Sequence, residues 1–153
     1  MQSVAESILA GELEPPPVAK LIGFKIRSVE RGRSTLELEV GSRHWNPMGG
    51  LHGGILCDLT DAAMGIAYAS TLGEGETFAT VELKINFLRP FREGLLIAEG
   101  SVVSKGRSIG YTEAEVRDEG GSLIAKASST CKTLGGRPGD PDAVAVETGS
   151  RSG

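Results

Sequence analysis

A histidine, two glycines and two aspartates carry most of the chemistry this sequence has to offer. His52-Gly53-Gly54 opens a run from Ile55 to Ser70 that is nearly free of polar residues but interrupted by Asp58 and Asp61. The first N–H groups of a helix have no internal partner and carry partial positive charge. A glycine-rich helix start can therefore polarise a carbonyl, and it lets a ligand come close to the backbone. That chemistry would be an oxyanion hole; a plain tight turn before a helix accounts for the same residues. Asp58 fits a first helical turn, where acidic residues are favoured. Asp61 lies deeper, beside Ala62, Ala63 and Met64, where a carboxylate has to be paired, hydrogen-bonded or shifted in pKa. It reads either as half of a structural pair or as a catalytic base or nucleophile. His52 is a general acid–base candidate or a residue that fixes the loop. Asn46 carries an amide that can donate to a carbonyl or hold a water.

Spacing limits how these groups can cooperate. Gly54 and Asp61 are seven residues apart, so they share a helix face but are separated by roughly 10 Å along its axis. A base has to come within about 3 Å of its proton, or one water away. An amide and a carboxylate from one helix therefore cannot serve the same carbonyl. If both are catalytic, they come from different copies of the chain.

The elements that must hold these residues follow from periodicity. The run from Ile55 to Ser70 is too long for a strand and rich in Ala, Leu and Met, so it reads as helix. Its apolar residues cover more than one face, which predicts burial all round. Asp58 and Asp61 break it too early for a membrane span. Ahead of it, Ser3 to Ala10 fits a short helix with Ser3 as N-cap and Glu6 completing a capping box. Pro15-Pro16-Pro17 ends that segment, and Val18 to Ile22 fits one more turn. Phe24 and Ile26, a turn at Arg31-Gly32, and then Leu36, Leu38 and Val40 alternate with polar residues as a hairpin does. After the helix, glycines at 73 to 75 are expected to close it. Val81, Leu83, Ile85 and Phe87 are expected on one strand face, with Thr80, Glu82, Lys84 and Asn86 on the other, up to Arg89-Pro90. Strands follow at Leu95–Ser104, Ile109–Arg117 and Leu123–Leu134, and short turns predict a four-stranded antiparallel meander. One sheet cannot enclose such a helix, so the sheet has to curl and a second copy has to close the open side. His44 is expected at the surface and Trp45 in packing.

The bulk properties narrow the function classes. A chain of 153 residues favours one domain. Lys plus Arg total 16 against 20 Asp plus Glu, a net charge of −4, which argues against a nucleic-acid-binding role. Cys57 and Cys131 have no metal-ligand spacing and read as small core residues in a reducing compartment. No basic start with an apolar core marks a signal peptide, so a cytoplasmic location is expected. The organisation is an N-terminal helical extension (1–20), one domain (21–134) and a Gly-, Pro- and Ser-rich tail (135–153) expected to be disordered.

The combined pattern of Asn46, Gly50-Leu51-His52-Gly53-Gly54, Asp61-Ala62-Ala63 and Ala67, followed by Phe87-Leu88-Arg89-Pro90, resembles the hotdog-fold acyl-CoA thioesterases. It is most similar to their phenylacetate-pathway, PaaI-like branch. The resemblance implies an α+β fold, a curved antiparallel sheet wrapped around one long helix, paired into dimers or tetramers. It also implies an acyl-CoA substrate with no separate cofactor and no metal. By that resemblance the Gly53 amide polarises the thioester carbonyl and Asp61 comes from the neighbouring subunit as base or nucleophile. Asn46 orients the carbonyl or the water, His52 shapes the loop, and Thr80 holds the water. Gly54 would also line the site, Leu56 and Met64 would line the acyl pocket, and Arg89, Lys105 and Arg107 are candidates for the CoA phosphates. Two other readings stay open: an acyl-thioester hydratase or dehydratase using His52 with Asp61, and a non-catalytic acyl-CoA-binding regulator.

Overall fold

The computed structural model describes residues 4–136. Two short helices, α1 (Val4–Leu9) and α2 (Pro17–Ile22), precede the hairpin β1 (Phe24–Glu30) and β2 (Arg33–Val40). A single 3-10 turn, Ser42–His44, leads to the central helix α3 (Gly53–Ala69). Four strands follow: β3 (Glu76–Phe87), β4 (Gly94–Lys105), β5 (Ile109–Asp118) and β6 (Leu123–Gly135). All six strands form one antiparallel sheet in the order β1-β2-β4-β5-β6-β3, curved around α3. This is the expected hotdog fold. The expected N-cap Ser3 lies outside the described residues, as does the expected tail beyond Gly136.

Only three of the last four strands form the meander. β3 pairs with β6 and not with β4, so it is an edge strand. The connection 88–93 is no hairpin turn. It runs past the start of α3, anchored by the Leu88 and Arg89 amides on the Ile124 carbonyl and by the Phe91 carbonyl, which accepts from the Leu51 amide at 2.8 Å. Proline at 90 suits a connector that contributes no ladder bonds.

α3 is seated on the sheet through small residues. A Cβ on Gly100 would come within 2.4 Å of the Ala63 carbonyl oxygen, and one on Gly110 within 2.3 Å of the Tyr68 ring. Ser34 Oγ donates to that same Ala63 carbonyl at 2.7 Å. Leu59, Ala63, Met64, Ala67 and Tyr68 are fully buried on the sheet side, while Asp58 is exposed and Asp61 and Ala62 are half-buried on the other. Burial is thus one-sided within a single chain. The helix is closed by hydroxyls and not by the glycines at 73 to 75. Ser70 Oγ lies 2.7 Å from the Ala67 carbonyl, and Thr71 Oγ1 donates to the Tyr68 carbonyl at 2.7 Å. Two short polar side chains satisfy the last carbonyls, leaving no need for a left-handed glycine cap.

β3 departs from simple alternation at a bulge. Thr80 pairs with Cys131 and Glu82 with Thr130, so Val81 is an extra residue without a partner of its own. An extra residue reverses the phase of everything on one side of it. Val81 is consequently 61% exposed, whereas Thr80 turns toward the helix together with Leu83 and Ile85. The expected separation of Thr80 from the apolar face fails for this reason.

Candidate active site

The turn before α3 is tied by Asn46. Its Oδ1 accepts the amides of Met48 (2.9 Å) and Gly50 (3.2 Å), and its own amide donates to the Gly50 carbonyl at 2.7 Å. Gly49 in the middle has a φ of +81°, a conformation that suits glycine. The Asn46 side-chain NH2 has no partner among the described residues and remains available to a ligand. Neighbouring His44 is only 3% exposed, not at the surface. Its Nδ1 accepts from the Gly41 amide, which leaves Nε2 to donate to the Ile22 carbonyl at 2.7 Å. Two backbone partners on opposite sides of the ring make burial inexpensive. Trp45 packs as expected, with its indole N–H on the Arg92 carbonyl and the Arg92 guanidinium over its ring.

His52 is the N-cap of α3. Its Nδ1 accepts the Gly54 amide at 2.9 Å and its carbonyl accepts the Ile55 amide at 3.0 Å. Of the first three helix amides, only that of Gly53 has no acceptor among the described residues. Gly54 is therefore already capped, and Gly53 is the donor left to polarise a ligand. At both glycines a side chain would make a close approach. A Cβ at 54 would sit 2.9 Å from His52 Nδ1, and one at 53 would lie 2.7 Å from the Phe87 ring. Phe87, 55% exposed and lying on Gly53, is a site neighbour that strand periodicity alone does not reveal. Its position just before Arg89-Pro90 was the available signal.

Two turns further on, Asp61 is half-buried, and Thr80 Oγ1 donates to its Oδ1 at 3.0 Å. The bulge at Val81 makes this contact possible. Oδ2 has no donor among the described residues. Asp58, one turn earlier, has its carboxyl raised above the ordinary range, first by desolvation and then by the charge of Asp61. Burial likewise pushes up the thiols of Cys131 and Cys57. Gly53 and Asp61 lie in one unbroken helix of 17 residues, so the eight-residue offset between them is about 12 Å.

Other expected site residues are dispersed. Leu56 (4% exposed) and Met64 (0%) are packed into the core. Lys105 is engaged at the far end of α3, where Nζ donates to the Thr71 carbonyl at 2.9 Å and lies over the Tyr68 ring. A cation there suits a helix C-terminus. Arg107 is exposed on the same turn, and Arg89 is exposed near the opposite end of the helix. Within one chain these three cations form no common phosphate site.

Comparison with known proteins fits this arrangement. The sequence profile of the thioesterase superfamily matches residues 48–125, which span the turn, the helix and the strands up to the start of β6. The chain is 31% identical to the 1,4-dihydroxy-2-naphthoyl-CoA hydrolase of Listeria monocytogenes, over 71% of this chain and 89% of that one. The solved structure of a phenylacetic acid degradation-related protein from Ralstonia eutropha matches with a TM-score of 0.77 at 30% identity, covering 84% of this chain and 98% of that one. The PaaI protein of the E. coli phenylacetic acid degradation operon matches with a TM-score of 0.77 at 26% identity, covering 86% and 94%. Among the described residues no helix is long and apolar enough to cross a membrane. With the family profile spanning half the chain and the fold shared along most of it, the chain belongs to the thioesterase superfamily and is a thioester hydrolase.

Proposed function

We propose that the protein hydrolyses acyl-CoA thioesters to the free acid and CoA at a site shared by two copies of the chain. The Gly53 amide of one copy polarises the thioester carbonyl, and Asp61 of the partner subunit supplies the carboxylate. The Gly53 amide carries this reading, because among the described residues it is the one of the first three amides of α3 without an acceptor. Thr80 holds Oδ1 of Asp61, leaving Oδ2 to take the proton of an attacking water or to add to the carbonyl itself. In the first route water adds to the carbonyl carbon, the C–S bond breaks, and the CoA thiolate leaves and takes up a proton. In the second, a mixed anhydride forms as CoA leaves and water then opens it. Asn46 orients the carbonyl or the water through its free NH2. The assembly is a dimer or a dimer of dimers, with the β3 edge and the open face of α3 as the surfaces to be covered.

A thiol-release screen across aromatic and aliphatic acyl-CoAs tests the reading. Asp61→Asn is expected to lower kcat by roughly a hundred- to ten-thousandfold, with the folded oligomer intact by size-exclusion chromatography. Wild-type turnover in that variant would remove Asp61 from the mechanism. Hydration of crotonyl-CoA, the reaction of a hydratase, is expected to be absent. His52 has committed one ring nitrogen to the Gly54 amide and is a loop-holding residue.

A further inference from the structure

Thr112 on β5 and Ser129 and Cys131 on β6 are polar side chains buried in the sheet wall. They share the face of Ala114 and Ala127, which pack with Met64 of α3. Successive contacts link them. Thr112 and Ser129 stand opposite each other, with their hydroxyl oxygens 2.6 Å apart and Thr112 Oγ1 3.3 Å from the Ser129 carbonyl oxygen. Ser129 Oγ is 3.8 Å from Cys131 Sγ. Cys131 in turn stands opposite Thr80 of β3, and side chains at opposed positions are neighbours on one face. Burial raises the Cys131 thiol, the hydroxyls of Ser129, Thr112 and Thr80 work against that, and the charge of Asp61 raises it further. Three hydroxyls thus act on one sulfur, which keeps its proton at neutral pH. The last of them, Thr80, is the residue that holds Asp61.

Direction follows from that last bond. Thr80 Oγ1 gives its one hydrogen to Asp61, so toward Cys131 it can only accept. The protonated thiol is the neighbour able to donate to it. The sulfur is then left to accept from Ser129, whose oxygen accepts from Thr112. Each member donates one way, toward the carboxylate, and donors linked like this strengthen one another where the dielectric is low. Stability alone does not ask for such a row, because apolar groups of the same shape in place of both partners of a buried hydrogen bond can be nearly neutral. We propose that Cys131 is a positioning residue for the hydrolysis: its S–H donates to Thr80 Oγ1, and with Ser129 and Thr112 behind it fixes the aim of the Thr80 hydroxyl at Asp61. The proposal rests on the hydrolase reading and extends its machinery from the edge strand into β5 and β6.

Two measurements on the full chain test it, one of them independent of turnover. The chain has two cysteines, so in Cys57→Ala the infrared S–H stretch belongs to Cys131 alone. Adding Thr80→Val removes the acceptor and keeps the side-chain size, and the band is expected to move to higher frequency as that hydrogen bond is lost. An unmoved band would overturn the proposal. The second measurement is CoA release from benzoyl-CoA or dodecanoyl-CoA, whichever is turned over faster. Cys131→Ala is expected to lower kcat by about two- to tenfold with KM changed less. In the Thr80→Val background it is expected to have no further effect, because the two residues act through one contact. Wild-type kcat in Cys131→Ala, or losses that multiply in the double variant, would make Cys131 a packing residue and overturn the assignment. A shifted band with no CoA release from either ester would leave the row of donors standing and remove the hydrolase reading alone.

Discussion

At Gly53 the missing side chain makes room for a phenyl ring, and the free amide is a separate property of the same residue. Proline compared with alanine pulls the two apart, since both add the Cβ that meets the exposed Phe87 ring and proline alone removes the N–H. Proline is well tolerated at the first position of a helix, and it has no N–H. His52 already has the extended backbone (φ −68°, ψ 130°) that a following proline requires. Gly53→Ala and Gly53→Pro should therefore share the cost of displacing the Phe87 ring, and proline should lower kcat by roughly a further hundred- to thousandfold, the usual cost of one oxyanion donor. Thr80→Val removes the hydroxyl that holds Asp61 without changing side-chain size. It should cost about ten- to a hundredfold in kcat, as for a hydrogen bond to a charged group, with KM changed far less. Asp58 has a pH signature. Its carboxyl is raised in the folded chain by desolvation and then by Asp61, so its contribution to stability is present below the ordinary carboxylate range and is lost as pH rises through the raised value. Asp58→Asn should accordingly raise Tm at neutral pH, and the gain should vanish in acid. Among single residues, Asp61 and Gly53 stand out as candidates in the sequence because a carboxylate in an apolar run and glycines at a helix start are local contradictions that demand a reason. Phe87 and His44 were not, since both owe their positions to partners far away in sequence.

At the scale of elements, α3 and the sheet meet backbone to side chain, with little between them. Gly100→Ala would drive a methyl into the Ala63 carbonyl, a backbone atom that cannot move without shifting the helix. The expected loss is about 3 kcal/mol or more, measured by urea unfolding. Ser34→Ala should cost less, about 1 kcal/mol, because it removes a single hydrogen bond to the same carbonyl. Most elements were readable from periodicity: the hairpin, the long helix and the later strands all stand close to where alternation placed them. Strand order was less so. The short connection after β3 suggested a hairpin, but its proline-containing segment instead crosses to the middle of the sheet and helps to brace the turn before α3. Local sequence records the length of a connection and not its destination. The bulge at Val81 escaped for a related reason, since pairing between strands decides it and a valine in a strand looks the same either way.

At the scale of the whole molecule, the helix offset carries the greatest consequence. Gly53 and Asp61 are fixed about 12 Å apart on one rigid element, so the site proposed above needs two chains. Mixing makes this measurable. Gly53→Pro and Asp61→Asn homodimers should each be nearly inactive. Unfolded together and refolded as an equal mixture, they should regain about a quarter of wild-type activity, since half the dimers are mixed and each mixed dimer holds one intact site of two. No recovery would place both groups in a single chain. A second copy was expected from burial, since a helix apolar on several sides cannot be covered by one curved sheet, and the half-buried face around Asp61 and Ala62 is the face that a single chain leaves open.

The unpaired Val81 acts through its backbone and not through its side chain. Without it Thr80 would still stand opposite Cys131 and Glu82 opposite Thr130, so the ladder would close and Thr80 and Phe78 would keep their side toward the helix. What would go is the local bend and added twist that an extra residue gives an edge strand, and with them the angle at which Thr80 meets Asp61. Deleting one residue here therefore tests the curvature of the sheet and leaves the pattern of its faces alone.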